Sequence, residues 1–321
     1  NPNAQVVING GNCSWPDINW VHCVHHAWPC RDDGAPAWFR IKNRAKKALA
    51  RRAEAIALRQ ARIVIANSER TRRDLITGIN LDPSVVQTVY LGSDSVNIPP
   101  TPAQRLAARR WLGCNSERPL VVFVGALGYD LNKGFDTLWA AWRSLCADSR
   151  WDANLIVAGG GRATSAWREK IAHTGLQERV TLLGFTERIA DVLDAADLLV
   201  SPVRYEGYGL NVQEAICRGT PAMVSACAGV AELYPSKMQE MLFPNPENSD
   251  DLARRLVAWR GSIEHWKARA REFGSQLRQY SWHDMARKIY EVAAASERVT
   301  SKKIVDLAQV VAENSSVSTA N

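Results

Sequence analysis

Two glutamates, Glu206 and Glu214, stand on either side of a glycine-containing loop, with seven residues between them. An apolar run, Leu198–Val200, ends just before the loop, and a helical pattern starts inside it and ends at Gly219. Unpaired backbone N–H groups at such a helix N-terminus favour an anion such as a diphosphate. Carboxylates repel phosphate but accept hydrogen bonds from vicinal hydroxyls. The arrangement therefore predicts a ligand with hydroxyls on both sides of a diphosphate, which describes a nucleotide sugar; the plainer alternative is two solvated charges.

Three histidines, His22, His25 and His26, lie in or just after a predicted strand, Trp20–Val24. Alternation along that strand would place His22 and Val24 on one face and bring His25 to the carboxyl end of the sheet. Ligands of open α/β sheets bind at that edge, so His25 is the first candidate to face a ligand and His26 the second. A purely structural role is the alternative. A metal site is not predicted, because adjacent side chains diverge and no ligand at suitable spacing completes one.

Short runs rich in β-branched residues alternate with longer amphipathic stretches along the chain. The predicted strands are Gln5–Asn9, Trp20–Val24, Arg62–Ala66, Val85–Val89, Leu120–Val124, Asn154–Ala158, Val180–Leu183, Leu198–Ser201 and Ala222–Ser225. The amphipathic stretches include Lys42–Gln60, Arg70–Thr77, Phe135–Ser149, Trp167–His173, Ile189–Ala195 and Leu210–Arg218. This alternation predicts parallel sheets with right-handed crossovers, in an α/β doubly wound fold.

The proline-rich segment Ser95–Pro102 marks the predicted boundary between two domains, because its prolines fit neither a helix interior nor a central strand. A new strand and helix series starts after it. Three helices are predicted near the C-terminus, over Ser249–Arg260, His265–Gln279 and Trp282–Ala295. The small and polar residues 296–321 predict a frayed tail.

The basic character of the chain is local. The net charge is +7 and the pI about 9.1, yet residues 31–73 alone hold 13 Lys or Arg and four acids. This segment contains one predicted amphipathic helix, residues 40–62, whose apolar positions include Ile41, Ala45, Ala48, Leu49, Ala55, Ile56 and Leu58. It is either an ordinary surface helix or a contact for anionic lipid or an anionic acceptor. Nucleic acid is not the predicted partner, because no aromatic interleaving or reading helix accompanies the charge.

Cysteine usage and hydropathy restrict the class of protein further. Seven cysteines form no CxxC pair and their number is odd, which favours reduced thiols in a cytoplasmic protein. No run of 18 or more apolar residues occurs, so no transmembrane helix is predicted. The chain starts at Asn1 without an initiator Met and almost at once shows a strand pattern, so we expect it to begin inside a longer fold.

Taken together, these motifs resemble the GT-B glycosyltransferases, specifically their retaining family 4 type. Ser201–Glu214 resembles the E-x7-E motif of that family, and Val122–Leu138 resembles the strand, loop, Lys-Gly and helix that open its C-terminal domain. Five further segments agree with the family in order and spacing: Ile65–Glu69, Val89–Asp94, Leu155–Gly161, Val180–Phe185 and Ala196–Pro202. The resemblance extends over residues 1–295.

The resemblance implies roles for individual residues. Glu206 accepts hydrogen bonds from the donor sugar, Glu214 holds the ribose hydroxyls, and Lys133 neutralises the departing diphosphate. His25 faces the donor sugar across the interdomain cleft. The other implied donor-binding positions are the backbone N–H groups of Gly207, Tyr208, Gly209 and Leu210, the strand-end Gly125, and Gly184 with Phe185 at the base pocket.

The sequence departs from the family at Ala126, because an arginine usually follows the glycine that corresponds to Gly125. One cation of the diphosphate clamp is then missing. Either Lys133 acts alone, or Arg204 takes the place of the missing arginine.

The implied fold is GT-B, in which two Rossmann-like domains face a cleft. Residues 1–100 would be the C-terminal part of an incomplete N-terminal, acceptor-side domain, and residues 101–280 the nucleotide-sugar donor domain. Residues 281–321 would form a crossover helix with a polar tail.

The implied activity is transfer of a sugar, with retention, from a nucleotide-diphosphate-sugar to a saccharide or lipid-linked acceptor. It would serve cell-surface polysaccharide or glycolipid synthesis, without a cofactor or metal. The expected location is cytoplasmic, with peripheral contact at the inner membrane face through helix 40–62. The pattern is compatible with more than one base and sugar. The alternative function is a nucleotide-sugar-binding module without turnover, which Ala126 and the incomplete N-terminal half would suit.

Overall fold

The computed structural model describes residues 5–29, 31–32, 34–114 and 117–296, which form two parallel sheets. The first sheet has the order β1-β2-β3-β4 and comprises β1 (Val7–Asn9), β2 (Ile18–Val21), β3 (Ile63–Ala66) and β4 (Val86–Thr88). The second has the order β10-β9-β8-β5-β6-β7 and comprises β5 (Leu120–Val124), β6 (Asn154–Ala158), β7 (Val180–Gly184), β8 (Leu198–Ser201), β9 (Ala222–Ser225) and β10 (Leu242–Phe243). Every pairing of these strands within the two sheets is parallel, as the alternation predicted.

Helices connect the strands in both halves. They are α1 (Ala37–Gln60), α2 (Glu69–Ile79), α3 (Pro102–Trp111), α4 (Phe135–Cys146), α5 (Thr164–Ala172), α6 (Ile189–Ala195), α7 (Leu210–Cys217), α8 (Ser249–Arg260), α9 (Ile263–Leu277) and α10 (residues 282–296). The helix α3 was not predicted. It begins with Pro102 in its first turn, and Thr101 caps it in a reciprocal pair of hydrogen bonds with Gln104.

The second sheet is buried on both faces. Every residue of β8, and Leu120–Phe123 of β5, lies in the core, which is why these strands are apolar runs rather than alternating patterns. From β5 the chain adds β6 and then β7 towards one edge of the sheet. It then crosses back to β8, which pairs with the opposite edge of β5. The order of strands therefore reverses between β5 and β8, and ligands of such sheets bind in the crevice at that point.

The helix α10 packs against the first sheet although it follows the second in the chain. Met285 and Ala293 are buried beside Ile18 and Ile63, and Ser281 pairs with Ser93 in an isolated bridge. The C-terminal segment thus returns to the N-terminal half.

Two predictions about the N-terminal half were wrong in detail. The strand predicted over Trp20–Val24 ends at Val21, and both Val21 and Val24 are buried, because the chain leaves the sheet before Val24 and alternation no longer applies. The apolar positions predicted for the basic helix do not all face the core. Ile41 is 71% and Leu49 70% exposed.

Candidate functional site

Lys133 and Glu206 meet at the point where the strand order reverses. Lys133 lies in the loop after β5 and Glu206 in the loop after β8, and Lys133 Nζ donates to Glu206 Oε2 at 2.5 Å. The two loops approach closely because Gly134, at φ +72°, has no side chain: a Cβ there would lie 1.8 Å from the carbonyl oxygen of Pro202. The Lys133 and Glu206 side chains are 34% and 23% exposed, so a ligand can reach both.

Two hydrogen bonds of Asn132, one from its side chain and one to its backbone carbonyl, connect these two loops. Asn132 Nδ2 donates to the carbonyl of Tyr205 at 2.9 Å, and the Arg204 N–H donates to the carbonyl of Asn132 at 2.8 Å. Asn132 is buried although it lies in a loop. Its two bonds join the residues that directly precede Lys133 and Glu206.

The N-terminus of α7 lies directly after Glu206. Gly209 caps the helix at φ +110°, a conformation that favours glycine. Among the described residues, we find no acceptor for the backbone N–H groups of Gly207, Tyr208, Gly209 and Leu210. The Tyr208 hydroxyl points away into the interior, where it donates to Gln213 Oε1. Only the backbone of Tyr208 can therefore serve an anion at this helix end.

The loop after β8 also contacts the N-terminal half. A Cβ on Gly207 would lie 2.1 Å from the carbonyl oxygen of His22. Ser68 Oγ, at the start of α2, donates to the Gly207 carbonyl at 2.6 Å, and the Tyr205 hydroxyl accepts from the Val24 N–H at 2.7 Å. Residues 205–207 thus join the two sheets across the cleft.

His25 lies in a turn beyond β2 and is held by a buried carboxylate that the sequence reasoning missed. Its Nδ1 and backbone N both lie 2.9 Å from Glu54 Oε1, and His26 Nδ1 lies 3.0 Å from Glu54 Oε2. The hydrogen bond with Glu54 raises the pKa of His25, against burial and the nearby cations of Arg51 and Lys46. Burial alone would raise the pKa of Glu54, but the hydrogen bonds from both histidines lower it below its usual value.

Cys23 is half-buried between β2 and the turn that carries His25. Burial raises the pKa of its thiol, and the carboxylates of Glu54 and Glu206 raise it further, whereas Lys133 lowers it. The close approach of Gly207 to the His22 carbonyl and the hydrogen bond from the Val24 N–H to Tyr205 place the His25–Glu54 cluster and the Lys133–Glu206 pair on the same cleft.

Glu214 is half-buried on α7 and lines a cavity of about 320 Å³ together with Asp94, Asn97 and Trp282. Burial raises the pKa of Glu214; Arg218 opposes the shift and Asp94 adds to it. The structure therefore places Glu214 beside the segment that connects the halves.

Three glycine-containing strand ends adjoin beside the Lys133 loop. A Cβ on Gly159 would lie 2.1 Å from the Gly125 carbonyl oxygen, and the Gly159 N–H donates to the Gly184 carbonyl at 2.7 Å. The next residue, Phe185, is 83% exposed. An exposed aromatic ring at the carboxyl edge of the sheet can stack on a planar base.

The structure does not bring Arg204 to the anion position. Its guanidinium is only 5% exposed and donates to both carboxylate oxygens of Asp136, at 2.8 and 2.7 Å, as well as to the Leu131 carbonyl. Two parallel charge-assisted hydrogen bonds hold the guanidinium in one orientation. Arg204 therefore fixes the loop, and Lys133 is the cation that faces the cleft beside Glu206.

The residues that sequence reasoning missed are Glu54, Tyr205 and Asn132. One signal could have found Glu54, because it is the only acidic residue in the 24-residue basic helix α1. The contacts of Tyr205 and Asn132 depend on tertiary packing and leave no comparable pattern.

The described residues hold no group of three or more His, Cys, Asp or Glu arranged for a metal ion. Within the same part of the chain, no helix is both long enough and apolar enough to cross a bilayer.

Comparison with sequence profiles of known families matches both halves of the chain. Residues 7–96 match the profile described as Glycosyltransferase Family 4, and residues 118–259 match the one described as Glycosyl transferases group 1. A curated relative, an uncharacterized glycosyltransferase of Methanocaldococcus jannaschii, is 26% identical over 241 residues, which are 72% of this chain and 60% of the relative. The chain spans 54–60% of the length of the first curated relatives that it matches.

Solved structures with a similar fold cover most of the chain. The glycosyltransferase WaaG, described as involved in lipopolysaccharide biosynthesis, superposes with a TM-score of 0.73 at 21% identity, over 90% of this chain and 78% of that one. HepE of Anabaena, in complex with UDP and glucose, gives a TM-score of 0.68 at 19% identity, over 87% of this chain and 77% of that one. These likenesses show that the fold is GT-B.

Proposed function

Since the chain belongs to the family 4, group 1 glycosyltransferases, we propose that it transfers a sugar from a nucleotide-diphosphate-sugar to a saccharide or lipid-linked acceptor. The observation that carries the proposal is the Lys133–Glu206 pair, at the reversal of strand order and beside the N–H groups of residues 207–210, which have no acceptor within the described part of the chain. A cation, a carboxylate and a helix N-terminus together match a diphosphate joined to a sugar.

Donor binding would exchange partners within the Lys133–Glu206 pair. Lys133 would turn to the diphosphate, and the freed Glu206 carboxylate would accept hydrogen bonds from the sugar hydroxyls. As the bond from the sugar to the diphosphate breaks, negative charge grows on the leaving oxygen. Lys133 and the α7 N-terminus would stabilise that charge without moving far. We expect attack on the same face of the sugar, assisted by the departing phosphate and without a metal, so that the configuration is retained.

The rest of the donor would extend to either side of this pair. Phe185 and Gly184 would line the base pocket, and Glu214 would hold the ribose hydroxyls. The complex of HepE with UDP and glucose supports a nucleotide in a fold of this kind. The description of WaaG in lipopolysaccharide biosynthesis supports a saccharide or lipid-linked acceptor, and with it a role in cell-surface polysaccharide or glycolipid synthesis.

The experiment that tests the proposal combines binding with turnover. Calorimetry against a panel of nucleoside diphosphates identifies the base, and release of free sugar from the matching nucleotide sugar measures slow hydrolysis in the absence of acceptor. We expect both binding and sugar release. Binding without any release or transfer would favour the alternative of a binding module, and the absence of nucleotide binding would remove the proposal altogether.

The outer face of α1 supports peripheral contact with an anionic bilayer. Trp38, Ile41, Leu49 and Ile56 are exposed on this helix, on the side opposite Glu54. Exposed cations flank them at Lys42, Arg44, Lys46 and Arg52. Apolar side chains flanked by Lys and Arg suit the boundary between lipid headgroups and acyl chains. A lipid-linked acceptor would be reached from that surface.

Vesicle sedimentation tests this contact. We expect binding to vesicles of phosphatidylglycerol and phosphatidylcholine and little binding to phosphatidylcholine alone. Each basic residue near an anionic surface contributes about 1 kcal/mol, so the double variant Lys42→Glu, Lys46→Glu should bind at least about 10-fold more weakly. The matched control Lys288→Glu changes an exposed lysine on α10. Equal binding by the double variant and the control would contradict membrane contact through α1.

A further inference from the structure

The carboxylate of Glu54 is enclosed by the turn that carries the two histidines. Its side chain is fully buried, and each of its oxygens contacts one imidazole Nδ1. The segment Gly10–Asn12 closes the other side, where a Cβ on Gly11 would lie 2.8 Å from the Glu54 Cα. Arg51 Nε donates to the His25 carbonyl at 3.0 Å and fixes the backbone of the turn. These contacts hold the His25 ring with Nδ1 against the Glu54 carboxylate.

The protonation of Glu54 decides which ring nitrogen of His25 carries hydrogen. The hydrogen bonds from the turn keep the pKa of Glu54 below its usual value, so it is a carboxylate at neutral pH. A carboxylate only accepts hydrogen bonds, so Nδ1 of His25 must be the donor. In the neutral imidazole the proton on Nδ1 leaves a lone pair on Nε2. The His25 side chain is 38% exposed, so Nε2 can reach a ligand.

We propose that Glu54 is a positioning residue that fixes neutral His25 as the Nδ1–H tautomer, so that Nε2 of the neutral ring presents a hydrogen-bond acceptor to a sugar hydroxyl in the cleft. The tautomer follows from the contacts alone, whereas the sugar hydroxyl rests on the proposed function. Val24, directly before His25, donates its backbone N–H to the hydroxyl of Tyr205, which directly precedes Glu206. This contact brings the turn of His25 to the loop that carries the proposed donor-binding carboxylate.

The charged groups around His25 set its pH dependence. Glu54 on α1 favours the protonated ring, whereas Arg51 and Lys46 on the same helix disfavour it. His26 in the same turn shares the Glu54 carboxylate, and the loop that carries Glu206, paired with Lys133, adjoins this turn from the second half through the Tyr205 hydroxyl. Replacing Glu54 with neutral glutamine removes the largest favourable interaction. The His25 pKa should then fall, and any limb of a pH profile that depends on His25 should move to lower pH.

The first test is NMR of the whole chain with ¹⁵N-labelled histidine. In the unsubstituted protein we expect neutral His25 to carry its proton on Nδ1, and its titration to lie above that of an ordinary histidine. In Glu54→Gln, which keeps the size of the side chain, the midpoint should move to lower pH. An Nε2–H tautomer, or an unchanged midpoint in Glu54→Gln, would overturn the proposal. If Glu54→Gln does not fold, the tautomer of the unsubstituted protein decides.

The second test is the kinetics of transfer or donor hydrolysis. Glu54→Gln should lower kcat about 10- to 100-fold, as expected for a residue that orients a contacting group, with a smaller change in KM. The effect should not add to that of His25→Ala, whereas the exposed control Glu264→Gln should leave activity unchanged. Additive losses would contradict positioning. An Nδ1–H tautomer in a protein that shows no transfer would instead refute the proposed function and leave the Glu54–His25 assignment intact.

Discussion

The two ionic clusters of the cleft hold their charged side chains in different ways. Lys133 and Glu206 are both partly exposed and meet in one short contact between two loops. His25 and His26 share the fully buried carboxylate of Glu54, which receives three hydrogen bonds from the turn. The first cluster can exchange its partner for a ligand, because water and ligand reach both groups. The second cannot change without leaving a buried charge unpaired.

This difference suggests a division of labour within the cleft. The exposed pair would bind the donor and respond to the charge that develops during transfer. The buried carboxylate would hold one histidine in a single orientation throughout the reaction. Substitutions in the exposed pair should therefore reduce activity and leave stability intact, whereas substitutions in supporting contacts should reduce both.

The largest effect is expected from Glu206→Ala. Removal of the carboxylate takes away the acceptor for the sugar hydroxyls, so we expect transfer to fall by at least about 10³-fold. The thermal unfolding midpoint should change little because Glu206 is partly exposed. Activity assays and circular dichroism on the same preparation check both parts. Full activity in this variant would show that Glu206 does not contact the donor.

Arg204→Ala changes a supporting contact, and its main measurable effect should be on stability. The guanidinium is buried whereas Asp136 is 28% exposed, and loss of their charge-assisted hydrogen bonds should cost about 1.5–3 kcal/mol. Denaturant unfolding measures the loss. The matched control Arg188→Ala breaks an exposed pair with Asp191, where we expect less than about 1 kcal/mol. A variant as stable as the control, but with weakened donor binding, would return Arg204 to the diphosphate clamp.

Gly207→Ala tests how the loop after β8 depends on the N-terminal half. The added Cβ would meet the His22 carbonyl oxygen at 2.1 Å, so the loop must shift away from the first sheet. Such overpacking costs about 1–3 kcal/mol, and we expect donor affinity to fall with it. Gly34→Ala is the control, since an added Cβ there has nothing within 4 Å. Equal stability of the two variants would show that the contact is not tight in solution.

Glu214→Gln should have the smallest effect, and its sign depends on pH. Burial raises the pKa of Glu214, so the folded protein loses stability as pH rises through that pKa and the group ionises. The glutamine variant lacks this loss and should unfold at a slightly higher temperature at neutral pH. Donor affinity should fall about 10-fold with the lost charge. Thermal scans and calorimetry at pH 5 and 7.5 check both, and a lower midpoint at neutral pH would contradict the assigned shift.

Much of the fold could be predicted, because buried parallel strands are continuous apolar runs. The predicted bounds of β5, β6, β8 and β9 agree with the structure. The turn after β2 could not be placed, because its apolar residues continue beyond the point where the chain leaves the sheet. The start of α3 at Pro102, capped by Thr101, was missed because the proline-rich segment was interpreted only as a domain boundary.

The candidate site was predictable where its chemistry is local in sequence. Glu206 and the α7 N-terminus belong to one motif, and the structure brings Lys133 to them. Glu54 was missed because it lies 29 residues from His25 and meets it only through packing of α1. The sequence left open whether Arg204 binds the diphosphate, because its partner Asp136 lies 68 residues away and cannot be identified from the loop sequence.

The most direct test of the exchangeable pair is calorimetric titration of the unsubstituted protein and Lys133→Ala with a nucleoside diphosphate and the matching nucleoside. Lys133 is expected to contact only the diphosphate. The account predicts that Lys133→Ala weakens binding of the nucleoside diphosphate by about 10-fold or more and leaves binding of the nucleoside unchanged. Equal affinity of both proteins for the diphosphate would contradict the central claim that Lys133 leaves Glu206 for the donor.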